Sequence, residues 1–319
     1  MIYSGKAAIE YLSNQVTTED TAESSHWQKY HSQFEYTGEG FQGLQGFGCN
    51  TKPYTGIRKF IHQLFQKRYR SMGKSLPGFD GIDSTAKEIT TKQQRGYDLD
   101  VLRQSLTLAL LKKNRDKLSS HGLMTCVIGD GFASMTSLML ANKFTTRVVL
   151  VNLTKTLLVD LWYLRLWLGD DAFESKVKVV TDMSDFEKLK EDGEVNNEGF
   201  GTVIAIEAKN HEIIKGLPID LVVNIASMQE MDPSTIDDYF HDFRAISTSR
   251  KLMFYCCNRE EKQLPDGTVT KLSEYPWLDN DKILIDELCP WHQNYYSHRP
   301  PFFHLYDGPI RHKLVEMSC

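Results

Sequence analysis

The stretch Met124-Thr125-Cys126-Val127-Ile128-Gly129-Asp130-Gly131-Phe132-Ala133-Ser134 is an apolar run that stops at a G-D-G-F-A-S turn and passes into a helical pattern. A short apolar run bounded by glycines reads as a buried strand. Glycines at a strand end let the chain turn sharply and let a ligand approach bare backbone, and the helix that follows offers free N–H groups. This strand, turn and helix are what opens a nucleotide-binding βαβ unit. A second apolar run, Arg147 to Leu153, carries the polar Asn152 near its end, where an acidic residue would ordinarily receive ribose hydroxyls.

Outward from this motif, the chain from residue 122 on alternates short apolar runs with helical patterns, the signature of a mostly parallel sheet. Further strands are predicted at Thr202 to Ile206, Asp220 to Ile225 and Lys251 to Cys256, with an extra one at Val177 to Val180. Helices are predicted over Phe132 to Lys143, over Thr154 to Leu168 with Thr154 as cap, and after Asp232-Pro233. Pro301 to Tyr306 and Arg311 to Met317, joined by Asp307-Gly308-Pro309, read as a closing hairpin whose last strand runs antiparallel. Residues 183–201 and 258–300 read as excursions beside the sheet, the second rich in aromatic and polar residues. Trp162, Tyr163 and Trp167 form a helical stripe, which reads as core.

Residues 1–118 form a mainly helical amino-terminal region, with helical spacing at Ile57, Phe60, Ile61, Leu64 and Phe65 and again at Leu102, Leu106, Leu110 and Leu111. Residues 119–319 then form the α/β domain, with the 258–300 segment inserted. In the amino-terminal region Gln93, Tyr97 and Arg103 are placed to contribute to a lid. The 319 residues carry a net charge of −5, so no global basic field favours nucleic acid or an anionic membrane. The basic cluster Arg58, Lys59, Lys67, Arg68, Arg70 and Lys74 reads as a solvated helix face. Cys49, Cys126, Cys256, Cys257, Cys289 and Cys319 contain no C-x-x-C pair and read as reduced thiols. With no leader-like segment and no long apolar stretch, the expectation is a cytoplasmic chain.

The ends of the first four strands supply the predicted cofactor-binding set. It comprises Gly129, Asp130, Gly131 and Phe132 in the turn, Asn152 and Leu153 after the second strand, Glu207 after the third, and Asn224 in the fourth. Glu207 is preferred over Asp182 for the adenosine edge because Asp220 opens the next strand one unit later.

These residues carry a family resemblance. V-I-G-D-G-F-A-S, V-L-V-N-L-T-K-T-L-L-V-D-L-W-Y-L-R and D-L-V-V-N-I-A-S-M-Q-E-M-D-P together resemble the sugar O-methyltransferases of the class I group over roughly residues 95–319. The block Asn224 to Met231 is the most family-specific piece, whereas the glycine motif is common to class I enzymes. The resemblance implies a Rossmann-like methyltransferase core, S-adenosylmethionine as methyl donor, and a sugar or glycan hydroxyl as acceptor. The sequence departs from the pattern at Asn152, in place of the ribose-binding acid, and at Ala133, in place of a third glycine.

Methyl transfer from a sulfonium to an alcohol is an in-line displacement that needs alignment and one base. The loop after the fourth strand should face the transferred methyl, which makes Glu230 the first candidate base, with Ser227 and Gln229 beside the acceptor. His292 is the second, since histidine titrates near working pH. Trp291 and Tyr295, in the aromatic and polar segment from Asp286 to Tyr296, are candidates to stack on a sugar face. Asp286, Glu287 and His292 could gather a divalent ion, but no metal-ligand spacing such as H-x-x-x-H supports it, so no metal is expected. Two other readings use the same sheet: a nicotinamide-dependent sugar oxidoreductase, against which the closing hairpin speaks, and a non-catalytic S-adenosylmethionine-binding relative.

Overall fold

The computed structural model describes residues 1–16, 20–46, 52–118, 123–185, 187 and 202–319. Cys49, most of the 183–201 excursion and the junction at 118/119 fall outside them. In chain order the amino-terminal region holds β1 (Ile2–Ser4), α1 (Gly5–Gln15), α2 (Ser25–His31), β2 (Glu35–Tyr36), β3 (Phe41–Gln42), α3 (Gly56–Gly73), α4 (Phe79–Lys92) and α5 (Leu99–Lys113). There follow β4 (Met124–Ile128), α6 (Ser134–Ala141), β5 (Arg147–Asn152), α7 (Thr154–Leu168), α8 (Asp170–Lys176), β6 (Val177–Val180), β7 (Thr202–Glu207), β8 (Leu221–Ile225), α9 (Pro233–Ser247) and β9 (Leu252–Arg259). The chain closes with β10 (Glu261–Gln263), β11 (Val269–Lys271), β12 (Lys282–Leu288), β13 (Asn294–Tyr296), β14 (Phe303–Leu305) and β15 (Ile310–Met317).

Among the described residues, nine strands make one sheet in the order β1-β6-β7-β5-β4-β8-β9-β15-β12. Strands β6, β7, β5, β4, β8 and β9 run parallel, and β15 lies antiparallel between β9 and β12. The strand order reverses at β4, so a crevice opens at its carboxyl end, where Gly129 stands. This is the Rossmann-like methyltransferase fold: a mostly parallel sheet with an antiparallel carboxy-terminal strand and a helical region before it.

Central parallel strands are covered on both faces, which is why they read as unbroken apolar runs. Side chains still alternate. In β9, Met253, Tyr255 and Cys257 join the core that packs on α1, α4, α5, α6 and α7, while Leu252, Phe254 and Cys256 join the core beneath α9 and residues 208–216. Each such side chain contributes about 1.5–3 kcal/mol by leaving water. The first core also holds Ala8, Leu12, Tyr69, Ile82 and Leu102, so the amino-terminal helices share it with the sheet. Strand β1 extends the sheet, antiparallel to β6. Of the aromatic stripe, Tyr163 and Trp167 are buried and Trp162 packs against that core.

Three local expectations are corrected. The closing hairpin does not form: β15 pairs with β9 and β12, while β14 pairs with β13 in a separate ribbon. The missed strand β12 alternates weakly because its face is largely solvated, so it was hidden in the 258–300 excursion. Finally, Thr154 is the first residue of α7 rather than its cap, and its hydroxyl donates to Glu207 at 2.8 Å. The free N–H of Thr154 is met instead by the carboxylate of Asp20 at 2.9 Å.

Candidate functional site

A cavity of about 340 Å³ lies at the carboxyl ends of the central strands. Its lining includes the Gly129-Asp130-Gly131 turn, Asn152, Leu153 and Thr156, together with Asp100, Arg103, Gln104, Glu230, Arg259 and Tyr306. Ser24, the residue before α2, and Trp27 of α2 also line it. A second cavity, of about 300 Å³ and lined by rings of Tyr54, His62, Tyr295 and Tyr296, shares Asp100, Arg103 and Tyr306 with the first.

The turn after β4 is held in a conformation few side chains tolerate. Gly129, Gly131, Phe132 and Ala133 have φ of 68°, 67°, 60° and 46°, and only the first two are glycine. The left-handed Phe132 and Ala133 cost of order 1–3 kcal/mol each and persist where their surroundings fix them. Here the Ala133 N–H donates to the Asp160 Oδ1 at 2.8 Å, and the Asn152 amide donates to the Asp160 Oδ2 at 2.8 Å. Asn152 Oδ1 in turn accepts the Leu153 N–H at 3.0 Å, so one buried carboxylate ties the turn to the end of β5. Burial, and then the neighbouring Asp130, hold the Asp160 carboxyl well above the ordinary carboxylate range.

Asp130 carries its own assignment. Its Oδ1 accepts the Met135 N–H and its Oδ2 the Thr136 N–H, both at 2.7 Å, so this carboxylate satisfies the opening turn of α6. The N–H groups at the amino terminus of that helix, which in a dinucleotide site would hold a pyrophosphate, are already taken by this carboxyl, which burial raises above its usual range against the hydrogen bonds from Thr136 and Met135.

Opposite the turn, Arg103 is buried and fully engaged. It donates to Asp100 Oδ1 at 2.6 Å, to the Tyr306 hydroxyl at 2.6 Å, and to the carbonyls of Trp291 and Asn294 at 2.9 and 2.6 Å. Burial raises the Asp100 carboxyl above its usual range, with Arg103 opposing. Glu230 is likewise raised by burial, although Lys262 sits 2.9 Å away and His26 Nε2 3.4 Å away. Burial lowers His26 to about 4, which keeps that imidazole neutral at physiological pH. Two buried atoms in residues of the wall, Gln104 Oε1 and Arg259 Nε, have no hydrogen-bond partner among the described residues. A buried polar group without a partner costs about 1–3 kcal/mol unless a ligand or water meets it.

Of the residues predicted to bind a cofactor, Gly129, Asp130, Gly131, Asn152 and Leu153 line the larger cavity. Phe132, Glu207 and Asn224 stand behind the wall. Phe132 packs on Tyr163 beneath the Arg95 guanidinium; Glu207 is held by Tyr11, Thr154 and Lys209; and Asn224 donates to the carbonyl of Ile128 at 3.1 Å. Ser227, Gln229, Glu230 and His292 also line the cavity, with Gln229 buried and its Oε1 accepting the Arg259 N–H at 2.7 Å. Trp291 is turned inward, its indole N–H donating to Thr107 at 3.2 Å, and Tyr295 belongs to the ring-lined cavity instead. Asp286, Glu287 and His292 do not gather: Asp286 pairs with Arg311 and Lys313, and Glu287 with His312. His292 Nδ1 lies instead 3.1 Å from Cys289 Sγ and 3.6 Å from Cys257 Sγ. Residues the sequence reading missed are Asp100, Gln104, Arg259 and Tyr306. The only signal for Asp100 was its place in the first turn of a helix, three residues before Arg103.

No family model and no curated protein matches the sequence. Solved structures match in part. The mitomycin 7-O-methyltransferase MmcR aligns at 12% identity over 68% of this chain and 57% of that one, with a TM-score of 0.32. TrmK of M. capricolum, in complex with S-adenosyl-homocysteine, aligns at 14% identity over 64% of this chain and 66% of that one, with a TM-score of 0.31. A mutant of MtNAS aligns at 13% identity over 83% of this chain and 100% of that one, with a TM-score of 0.37. The match thus spans less than two-thirds of the length of the first two. At such scores these likenesses decide nothing about activity, and the fold stands on the chain's own strand order.

Proposed function

We propose that the chain transfers a methyl group from S-adenosylmethionine to a hydroxyl of a small sugar or glycoside. The observation that carries this reading is the Asp130 carboxylate on the first turn of α6. A nicotinamide dinucleotide would find the N–H groups for its pyrophosphate already taken by that side chain, whereas a nucleoside sulfonium has no phosphate and does not need them. The glycine turn, Asn152 and Leu153 then hold the nucleoside, with Asn152 supplying amide contacts to the ribose in place of a carboxylate.

The acceptor side follows from the shared wall. An acceptor seated against the rings of the second cavity would present a hydroxyl to Asp100, at the junction of the two, with Gln104 and Arg259 offering their unmet polar atoms. Rings that stack on sugar faces beside polar groups that read hydroxyls are what a carbohydrate site needs. In the reaction the acceptor oxygen attacks the methyl carbon, the sulfur–methyl bond breaks to leave a neutral thioether, and the hydroxyl proton passes to Asp100. Glu230, fixed by Lys262, orients the acceptor; His292 is taken up by the two thiols beside it. Asp100→Asn keeps the shape and removes the base. The expected result is S-adenosylhomocysteine affinity within about twofold of the parent and a kcat for labelled methyl transfer lower by about 10²–10⁴-fold. Unchanged transfer by Asp100→Asn would overturn the assignment of the base.

A further inference from the structure

Cys257, Cys289 and His292 form a cluster that the methyl-transfer reading does not use. All three are buried, and their ligand atoms lie within 4.8 Å of one another. They come from separate places in the fold. Cys257 is on β9, and Cys289 follows the end of β12, its N–H donating to Ile310 at 2.9 Å; His292 sits one turn on, its N–H donating to the Cys289 carbonyl at 3.1 Å. Strand β15 runs between β9 and β12, so the cluster clasps the last three strands together.

We propose that these residues are a binding site for one Zn²⁺, ligated by the two thiolates and the imidazole. In a tetrahedral site the metal stands about 2.3 Å from sulfur and 2.0–2.1 Å from nitrogen, which sets ligand atoms roughly 3.3–3.8 Å apart. The nitrogen–sulfur separations here are 3.1 and 3.6 Å and all three ligand atoms lie within 4.8 Å of one another, so the ligands can close around one ion. Binding displaces one proton from each thiol to solvent, and two thiolates with a divalent cation are neutral, so no net charge is left in the core. Soft thiolates with one imidazole select zinc over magnesium or calcium. Cys289 and His292 lie on one short stretch, with only Pro290 and Trp291 between them, so a single turn supplies two of the three ligands.

Among the described residues no fourth histidine, cysteine or carboxylate joins the cluster. Three protein ligands leave one coordination position for a water or a ligand oxygen. His292 lines the larger cavity, so the site borders that cavity. The site does not depend on S-adenosylmethionine being the cofactor.

The test is elemental analysis of the full chain, grown with zinc and purified without chelator, followed by titration of the metal-free chain with Co²⁺. The parent and the exposed-thiol control Cys319→Ser are expected to retain about one zinc per chain, and Cys257→Ser, Cys289→Ser and His292→Ala less than about a tenth of that. Cobalt should give a thiolate charge-transfer band and tetrahedral visible bands that saturate at one equivalent. This reading uses only the parent chain and decides the matter even if the variants fail to fold. A folded parent without zinc and with a featureless cobalt titration would overturn the proposal, as would finding the two sulfurs joined as a disulfide.

Discussion

Gly129→Ala probes the turn on which the whole site is built. At φ 68° the residue is left-handed, and an added methyl would fall inside the van der Waals reach of Ser227 Oγ and Cβ across the crevice. The backbone alone costs about 1–2 kcal/mol when a side chain is placed there. Ser227 must also move. Its hydroxyl donates to the Ile128 carbonyl at 3.0 Å and accepts from the Asn224 amide, and each bond is worth about 0.5–1.5 kcal/mol net. The sum is a loss of about 2–5 kcal/mol, a large share of the ~5–15 kcal/mol by which proteins are stable. In a Ser227→Gly background the obstacle and its hydrogen bonds are already gone, so the same change should cost only the backbone part, about 1–2 kcal/mol. Urea unfolding of the four proteins, followed by tryptophan fluorescence, gives the coupling between the sites, expected at about 1–3 kcal/mol. An equal cost in both backgrounds would refute the close approach of Ser227 to Gly129.

Two further outcomes test how distant segments support this framework. Asp281 is lowered to about 2: against the opposing effect of burial, it receives the Arg244 guanidinium and the N–H groups of Ser318 and Leu278. Because the folded value lies below the unfolded one, its stabilisation is present above the ordinary carboxylate range and is lost as pH falls from about 4 towards 2. Asp281→Asn should therefore cost about 1–2 kcal/mol at neutral pH, and the gap from the parent should close over that acid window in a series of unfolding curves. Asp20→Ala removes the carboxylate that meets the Thr154 N–H at 2.9 Å. It should lower stability by about 1 kcal/mol in the same assay, and no change would mean that water caps α7 equally well.

The sheet was legible because its central strands are covered on both faces. The runs at β4, β5, β7, β8 and β9 have almost no polar letters, so their number and the glycine turn could be read directly. The closing strands were not legible. Strand β12 is an edge with exposed Lys282, Glu287 and Leu288, and the apolar letters at 301–306 invited a pairing that the chain makes with β13 instead. The turn side of the cavity was legible for a similar reason: a ligand-facing backbone needs glycine, and glycine is visible in a sequence. Asp100 and Arg103 on α5, Arg259 and Tyr306 come from three places far apart in the chain, and only tertiary folding brings them together. Phe132, Glu207 and Asn224 have the right positions along the strands but are claimed by neighbouring side chains and backbone, and pairings of that kind leave no periodic trace.

Calorimetric titration of the chain with S-adenosylhomocysteine, set beside NAD, tests the central claim most directly. The account predicts saturable binding of S-adenosylhomocysteine at one site, lost in Gly131→Leu, and no binding of NAD, because Asp130 already occupies the helix terminus that a pyrophosphate would need. Binding of NAD with none of S-adenosylhomocysteine, or binding of neither by a folded chain, would contradict it.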